Sequence, residues 1–245
     1  MRKITLLFFA SLLLLPSCQW QQKQVISAQT EAIRIDSSLD AIQDTAYLAM
    51  LAPKKAVVDK EMNVKVGYVA DTLWVASPEC PLLNWLTDAL LHAAQRVCPH
   101  KVDVALVNIG GVRGEWLPGD LTFGNIYEIM PFENELVVIT LTGQDIIDLC
   151  SSFAVFGAQG VAGMRVTIVD GQLADLTIDG KPVDPKKKYT LATSDYLIGG
   201  ADNMEALTRY SECWKSKQLI RDLYIQEAQQ QDTLRAVMDG RMKIL

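Results

Sequence analysis

Hydrophobic and polar positions divide the chain into a leader, a tether and a long periodic region. An unbroken apolar run, Ile4 to Leu15, follows the cationic Arg2 and Lys3. It is short for a bilayer-crossing helix and has the charge-then-apolar order of a signal peptide. Residues 19 to about 32 are polar, Gln-rich and aperiodic, as a tether is. From Ile33 onward the pattern becomes periodic. Asp36-Ser-Ser-Leu39 predicts a capped helix start, with Leu39, Ile42, Tyr47, Leu48 and Leu51 on one face and Pro53 as its stop. Val64 to Val75 alternates as a pair of strands does. Between Cys80 and Val97, Leu82, Leu83, Leu86, Leu90, Leu91 and Ala94 recur at helical spacing. Short apolar strands are predicted at Val102–Val107, Leu136–Leu141 and Tyr189–Ala192, with a helix at Gln144–Phe153. Asp170-Gly171, between the runs Met164–Val169 and Leu173–Ile178, predicts a tight hairpin. A last amphipathic helix is expected from about Lys215 to Gln230. Strands outnumber helices and the two interleave irregularly. The expected fold class is therefore α/β (α+β), a mixed-sheet layered sandwich and not a repeating parallel wind.

The leader ends in Leu15-Pro-Ser-Cys18, which resembles the bacterial lipobox. Small residues there fit a signal peptidase, and the thiol accepts a diacylglycerol. The alternatives are an ordinary secretory signal with an incidental cysteine and a buried N-terminal helix. The expected organisation is a lipoprotein signal peptide at 1–17, a tether at 18–32 and one domain at 33–245. Lipidated Cys18 would hold the protein on a bacterial membrane, at the outer membrane or periplasmic face. The 49% hydrophobic content is ample for a core.

Charge narrows the choice of partners. The chain has 23 Lys+Arg against 29 Asp+Glu, a net charge of −6, and losing Arg2 and Lys3 with the leader makes it −8. No basic patch remains to neutralise phosphates along a polynucleotide, so a nucleic-acid partner is disfavoured. The cluster Lys186-Lys-Lys188 follows Asp184-Pro185 and reads as a solvated turn. Beyond Cys18 the cysteines are 80, 98, 150 and 213, with no CxxC and no metal-ligand spacing. Disulfides are compatible with export, but spacing does not fix their connectivity. Cys80 and Cys98 flank a predicted helix roughly 25 Å long at 1.5 Å per residue, which argues against their pairing with each other.

The densest chemical signal is Val104-Ala-Leu-Val-Asn108-Ile-Gly110-Gly111-Val-Arg113. An apolar strand runs into a paired-glycine turn bounded by an amide and a guanidinium. Glycines in such a turn let backbone N–H groups face an anion, and Arg supplies a planar, permanently charged fork suited to phosphate. Alone, this is equally the sequence of a tight turn with a surface ion pair. Two further segments follow in order, Met130-Pro-Phe132-Glu-Asn134 and the strand Leu136-Val-Val-Ile-Thr-Leu-Thr142-Gly143.

Together these three resemble the C-terminal domain of 5′-nucleotidases, with its N-x-G-G-x-R loop, P-F-x-N segment and apolar strand ending in T-G. Ser194-Asp195-Tyr196-Leu-Ile-Gly199-Gly200-Ala201-Asp202 looks like the family's N-F-L-A-x-G-G-D. Glu79-Cys-Pro-Leu-Leu83-Asn84-Trp-Leu-Thr-Asp88-Ala matches its E-x-x-x-G-N-L-x-x-D-A, with Leu83 for the glycine. The resemblance covers essentially the whole domain, from about Ile33 to Gly240-Arg241. It implies a substrate-binding set of Asn108, Gly110, Gly111, Arg113, Phe132, Asn134, Tyr196 and Asp202. Phe132 and Tyr196 would sandwich a nucleobase, Asp202 would accept from the ribose hydroxyls, Asn108 would reach the base or phosphate, and Arg113 would pair with phosphate. Stacking uses the ring, so exchanging Tyr196 for the family's Phe is expected to be nearly neutral. A second phosphate-contacting Arg of the family falls at Ala76 here, which leaves one guanidinium.

In full-length relatives the resemblance implies an N-terminal metallophosphoesterase domain, whose D-x-H, G-N-H-[DE] and G-H-x-H motifs hold two divalent metals. The chain has only His92 and His100, neither of them in such a motif, and no P-loop or G-x-S-x-G nucleophile. No catalytic residue is expected in this chain, and no cofactor; divalent metals are expected on a partner metallophosphoesterase. The leading reading is the nucleotide-recognition part of a split 5′-nucleotidase. The alternatives are a non-catalytic nucleoside or nucleotide binder and a degenerate structural domain. A nucleoside monophosphate, a UDP-sugar and a cyclic nucleotide all remain open as substrate.

Overall fold

The structure is a computed structural model describing residues 27–39, 44–235 and 237–245. The predicted signal peptide and Cys18 lie outside the described residues. Two compact units are delimited, Met1–Leu48 and Ala49–Leu245. In the first, Asp36 caps a single 3-10 turn, Ser37–Leu39, through Ser38 N at 3.0 Å. The predicted helix does not start there. Helix α1 spans Thr45–Met62 and is opened by Asp44, whose carboxylate accepts from Tyr47 N at 3.0 Å. It also continues through Pro53 where a stop was expected. Proline removes the donor to the Ala49 carbonyl, but Ala49 and Pro53 are both exposed, where solvent can take that carbonyl. Leu39, Tyr47 and Leu48 are exposed, as are Ile33 and Ile35; Ile42 lies outside the described residues.

The second unit begins within α1, at Ala49, and continues with β1 (Lys65–Val69), α2 (Pro81–Val97), β2 (Val104–Val107), β3 (Gly119–Thr122), α3 (Phe123–Ile129) and β4 (Glu135–Thr142). Next come α4 (Gly143–Phe156), β5 (Gly160–Ala162), β6 (Met164–Val169), β7 (Gln172–Ile178), β8 (Lys181–Pro182) and β9 (Lys188–Ser194). The chain closes with β10 (Glu212–Leu219), α5 (Ile220–Gln230), β11 (Thr233–Leu234) and β12 (Met242–Ile244). The helix starts follow known rules. Pro81 opens α2 at a position where its missing N–H costs nothing. Thr122 with Asn125 and Thr142 with Asp145 form reciprocal capping boxes for α3 and α4.

The central layer is a five-stranded mixed sheet of order β10-β4-β9-β2-β5. Side chains alternate between its faces. Ala105, Val107, Leu136, Val138 and Ala192 join one core with α2 and α5, while Val104, Leu106, Val137, Ile139, Leu141 and Leu191 join another with α4, β6 and β7. Burial on both faces explains why β2 and β4 read as continuous apolar runs. The mixed-sheet sandwich expected from the sequence is the observed architecture.

Two predicted elements differ. Val64–Val75 is one strand plus a single bridge, Leu73 to Trp116; β1 pairs instead with β3 and β11. The segment from Lys215 to Leu219 is the end of edge strand β10 and not helix, with a register shift at Lys215/Leu219 and Lys217 at φ 60°. Lysines and a bulge on an edge strand block further pairing, and their polar spacing there imitates a helix face.

Several residues of the family resemblance prove to hold the fold. Buried Glu79 accepts from Asn84 Nδ2 at 2.7 Å and from the backbone N–H groups of Asp239 and Gly240 at 2.9 and 3.2 Å. Asp88 pairs with Arg241 through two contacts of 2.6 and 3.0 Å. These ties fix the C-terminal segment, whose β12 lies parallel to β6. Cys80, Cys98, Cys150 and Cys213 are all free; burial pushes the Cys150 thiol up to about 12, so it behaves as a core residue.

Gly143, the glycine of the T-G motif, is required by packing. A Cβ there would lie 1.9 Å from the Asp184 carbonyl oxygen, while Gly143 N donates to Lys187 O at 2.8 Å. Gly143→Ala is expected to destabilise the protein by about 2–4 kcal/mol, because backbone and not a flexible side chain must move. A urea-unfolding midpoint equal to that of the wild type would refute this account.

Candidate functional site

Strands β2 and β9 run parallel, with Val104 opposite Leu191 and Ala105 opposite Ala192. Both therefore release their loops at the same end, Asn108–Arg113 from one and Asp195–Asp202 from the other. Antiparallel β4 begins at that end, with Leu136 opposite Ser194, so the preceding Phe132–Asn134 segment arrives there too. The carboxyl ends of adjacent parallel strands are where open α/β sheets commonly take ligands. Here they border a cleft of about 340 Å³, within the range of small-ligand sites.

All eight residues expected from the sequence, Asn108, Gly110, Gly111, Arg113, Phe132, Asn134, Tyr196 and Asp202, line this one cleft. Phe132 is 40% and Tyr196 50% exposed, so neither ring is core. The Arg113 guanidinium lies 5.5 Å from the Phe132 ring centroid, and its Nη1 donates to Gly110 O at 2.5 Å. Asp202 adopts φ 54°, ψ 34°, a left-handed conformation that aspartate tolerates better than most residues. Gly200, at φ 84°, makes the turn before it possible. Arg209, at the far end of this segment, is clamped by Asp145 at 2.6 Å and Asp148 at 2.5 Å on α4.

Four expectations change with the geometry. Most N–H groups around the Gly110-Gly111 turn are used within the fold: Gly111 N donates to Asn108 O, Val112 N to Ile109 O, Arg113 N to Ile129 O, and Ile109 N to the Gln159 side chain. Its glycine serves space, since a Cβ at 111 would fall 2.9 Å from Asn108 Oδ1. Asn108, almost buried, turns its amide onto Asp202 Oδ2 at 2.6 Å and so holds that carboxylate in place. The Tyr196 hydroxyl is also engaged, donating to Asp202 Oδ1 at 3.1 Å. That bond and the charge of Asp202 raise the phenol above its ordinary value. Ala76 is absent from the cleft lining and packs, half-buried, against the core that contains α2.

The sequence pattern missed the other half of the lining, including Met130, Ser194, Leu197, Ile220 and Tyr224. Apolar residues there carry no chemical signature, and α5 lies far along the chain from the motifs. Gln159, which supports the 108–113 loop from just ahead of β5, gave no signal either.

Comparison with known proteins decides the family. The profile described as "5′-nucleotidase, C-terminal domain" matches residues 65–209, more than half of the chain. The chain belongs to the 5′-nucleotidase C-terminal domain family. It is 26% identical over 191 residues to protein UshA of Escherichia coli, covering 76% of this chain and 34% of that protein. A 5′-nucleotidase of Vibrio vulnificus is 26% identical over 195 residues, covering 77% and 34%. The chain thus spans about a third of the length of these curated relatives. Among solved structures, a 5′-nucleotidase precursor from Thermus thermophilus superposes with a TM-score of 0.73 at 21% identity, covering 84% of this chain and 43% of that one.

In this 5′-nucleotidase C-terminal domain the Asn108–Asp202–Tyr196 linkage has a direct signature. Asp202→Asn removes the charge that raises the Tyr196 phenol. Tyr196 is then expected to titrate closer to its ordinary value of 10.0, a downward shift readable by NMR of ring-labelled tyrosine. An unmoved titration would mean that the bond does not form in solution.

Proposed function

We propose that the cleft recognises a nucleoside or nucleotide for a 5′-nucleotidase reaction of nucleotide catabolism. The observation that carries this reading is the convergence of two half-exposed aromatic rings, a held carboxylate and an exposed guanidinium on one cleft. Stacking on Phe132 and Tyr196 suits the flat face of any base. Asp202 is acceptor-only, the partner a ribose diol needs. Arg113 offers a charged fork to phosphate. In this reading the binding energy of the nucleoside places the phosphate for attack.

The phosphate chemistry itself belongs, in this proposal, to divalent metals on a separate metallophosphoesterase chain. His92 and His100 are not in the cleft lining, and among the described residues no three His, Cys, Asp or Glu side chains group as metal ligands. Lipidated Cys18 would hold the protein at a bacterial membrane. The alternative, a nucleoside binder without a catalytic partner, draws support from the loop N–H groups of Ile109, Gly111, Val112 and Arg113, which are already used within the protein.

Calorimetry on the purified protein separates these readings. AMP is expected to bind more tightly than adenosine, by about 1.5–3 kcal/mol for one charge-assisted pair. Arg113→Ala should remove that difference, and salt should shrink it. Equal affinities in the wild type would favour the plain nucleoside binder. Metal-dependent phosphate release by the pure chain would overturn the assignment of metals to a partner.

Stacking is tested separately. Phe132→Ala is expected to weaken adenosine binding by about 1–3 kcal/mol with an unchanged circular-dichroism spectrum. Unaltered affinity would show that the ring faces the cleft without touching the ligand.

A further inference from the structure

The inner wall of the cleft contains a polar group that the reading above leaves unused. Leu90 of α2, Leu106 of β2, Leu197 and Ile220 of α5 line that wall, and all are buried. Tyr224 lines it too, four residues after Ile220 and hence on the same stripe of α5. It is 0% exposed. Its ring packs at an angle against Trp85, 6.0 Å between centroids. Its hydroxyl is buried and meets no hydrogen-bond partner among the described residues.

Buried tyrosines ordinarily find a partner for the O–H, because stripping it of water without replacement costs free energy. Phenylalanine would fill the same place without that cost. Burial also pushes the phenol far above its usual range, so it remains a neutral O–H that can donate or accept. The other buried side-chain atom in this condition among the described residues, Arg221 Nε, belongs to a guanidinium occupied elsewhere. That group stacks 3.8 Å from the Tyr127 ring centroid and donates to Phe132 O at 3.4 Å. Tyr224 alone of the two lines the cleft. It also stands beyond residues 65–209, the span that matches the family profile.

We infer that Tyr224 reads the far edge of the base: its hydroxyl, covered in this structure, is uncovered by a small shift of the cleft wall and donates to an acceptor atom on a ring that enters between the stacking aromatics. This makes it a specificity-determining residue, and it rests on the nucleoside reading of the cleft. The ligand class narrows to nucleosides whose base carries a carbonyl oxygen or ring nitrogen at the edge remote from the sugar. A hydrocarbon edge leaves the hydroxyl unpaired and is discriminated against.

The test is Tyr224→Phe, measured by calorimetry with inosine, adenosine and benzimidazole riboside. The last keeps the bicyclic ring and ribose but has no heteroatom on its far edge. The variant should lose about tenfold in affinity for inosine and adenosine and less than about twofold for benzimidazole riboside. Its ligand-free Tm should equal or exceed that of the wild type, since an unpartnered hydroxyl has been removed. Affinities unchanged for all three ligands overturn the inference, while the nucleoside site stands. A lower ligand-free Tm also overturns it, because the hydroxyl would then serve the fold, for instance through a bound water. Failure of the wild type to bind any of the three removes the nucleoside reading itself, and the role of Tyr224 with it.

Discussion

The parallel pairing of β2 with β9 is the constraint on which the cleft depends. Two strands far apart in sequence, Val104–Val107 and Lys188–Ser194, lie side by side and point the same way, so their loops leave at a common end. Were β9 reversed, Tyr196 and Asp202 would emerge at the opposite edge of the sheet from Asn108. The pairing is held by burial on both faces, with Ala105 and Ala192 in one core and Val104 and Leu191 in the other. Slipping either strand by one residue would exchange the two faces at once.

Around that end the protein separates residues that hold from residues that offer. Glu79, Asn84, Asp88 and Gly143 belong to recurring sequence motifs, yet their partners are all internal: the C-terminal backbone, Arg241 and the Asp184 turn. Phe132, Tyr196, Arg113 and Asp202 remain open to solvent. Asn108 belongs to both groups, buried itself while orienting an exposed carboxylate.

Much of this was legible in the sequence, for identifiable reasons. The hairpin at Asp170-Gly171 was readable because both residues take positive φ and a strand flanks each side. The α2 helix was readable from its apolar stripe. The site residues were readable through their resemblance to the motifs of the 5′-nucleotidase C-terminal domain; taken alone, a glycine pair marks a turn and an aromatic reads as core. What stayed hidden depends on long-range contact. Edge strand β10 has the polar spacing of a helix, and only its pairing with β4 makes it a strand. The uses of the loop N–H groups and of the Tyr196 hydroxyl are set by Gln159, Ile129 and Asp202 across the fold. The inner wall could not be recognised because leucines facing a cleft and leucines facing a core look alike.

The loop that carries Asp202 has one more consequence. Gly200, Asp202 and Asn203 all sit in left-handed conformations within four residues, and Arg209 locks the segment's far end to α4. Backbone held in so narrow a region has already surrendered its conformational freedom during folding. A molecule arriving at the cleft would therefore meet a rigid carboxylate with little left to order, and the entropy of association would reflect the ligand's own freedom and displaced solvent more than that of the loop.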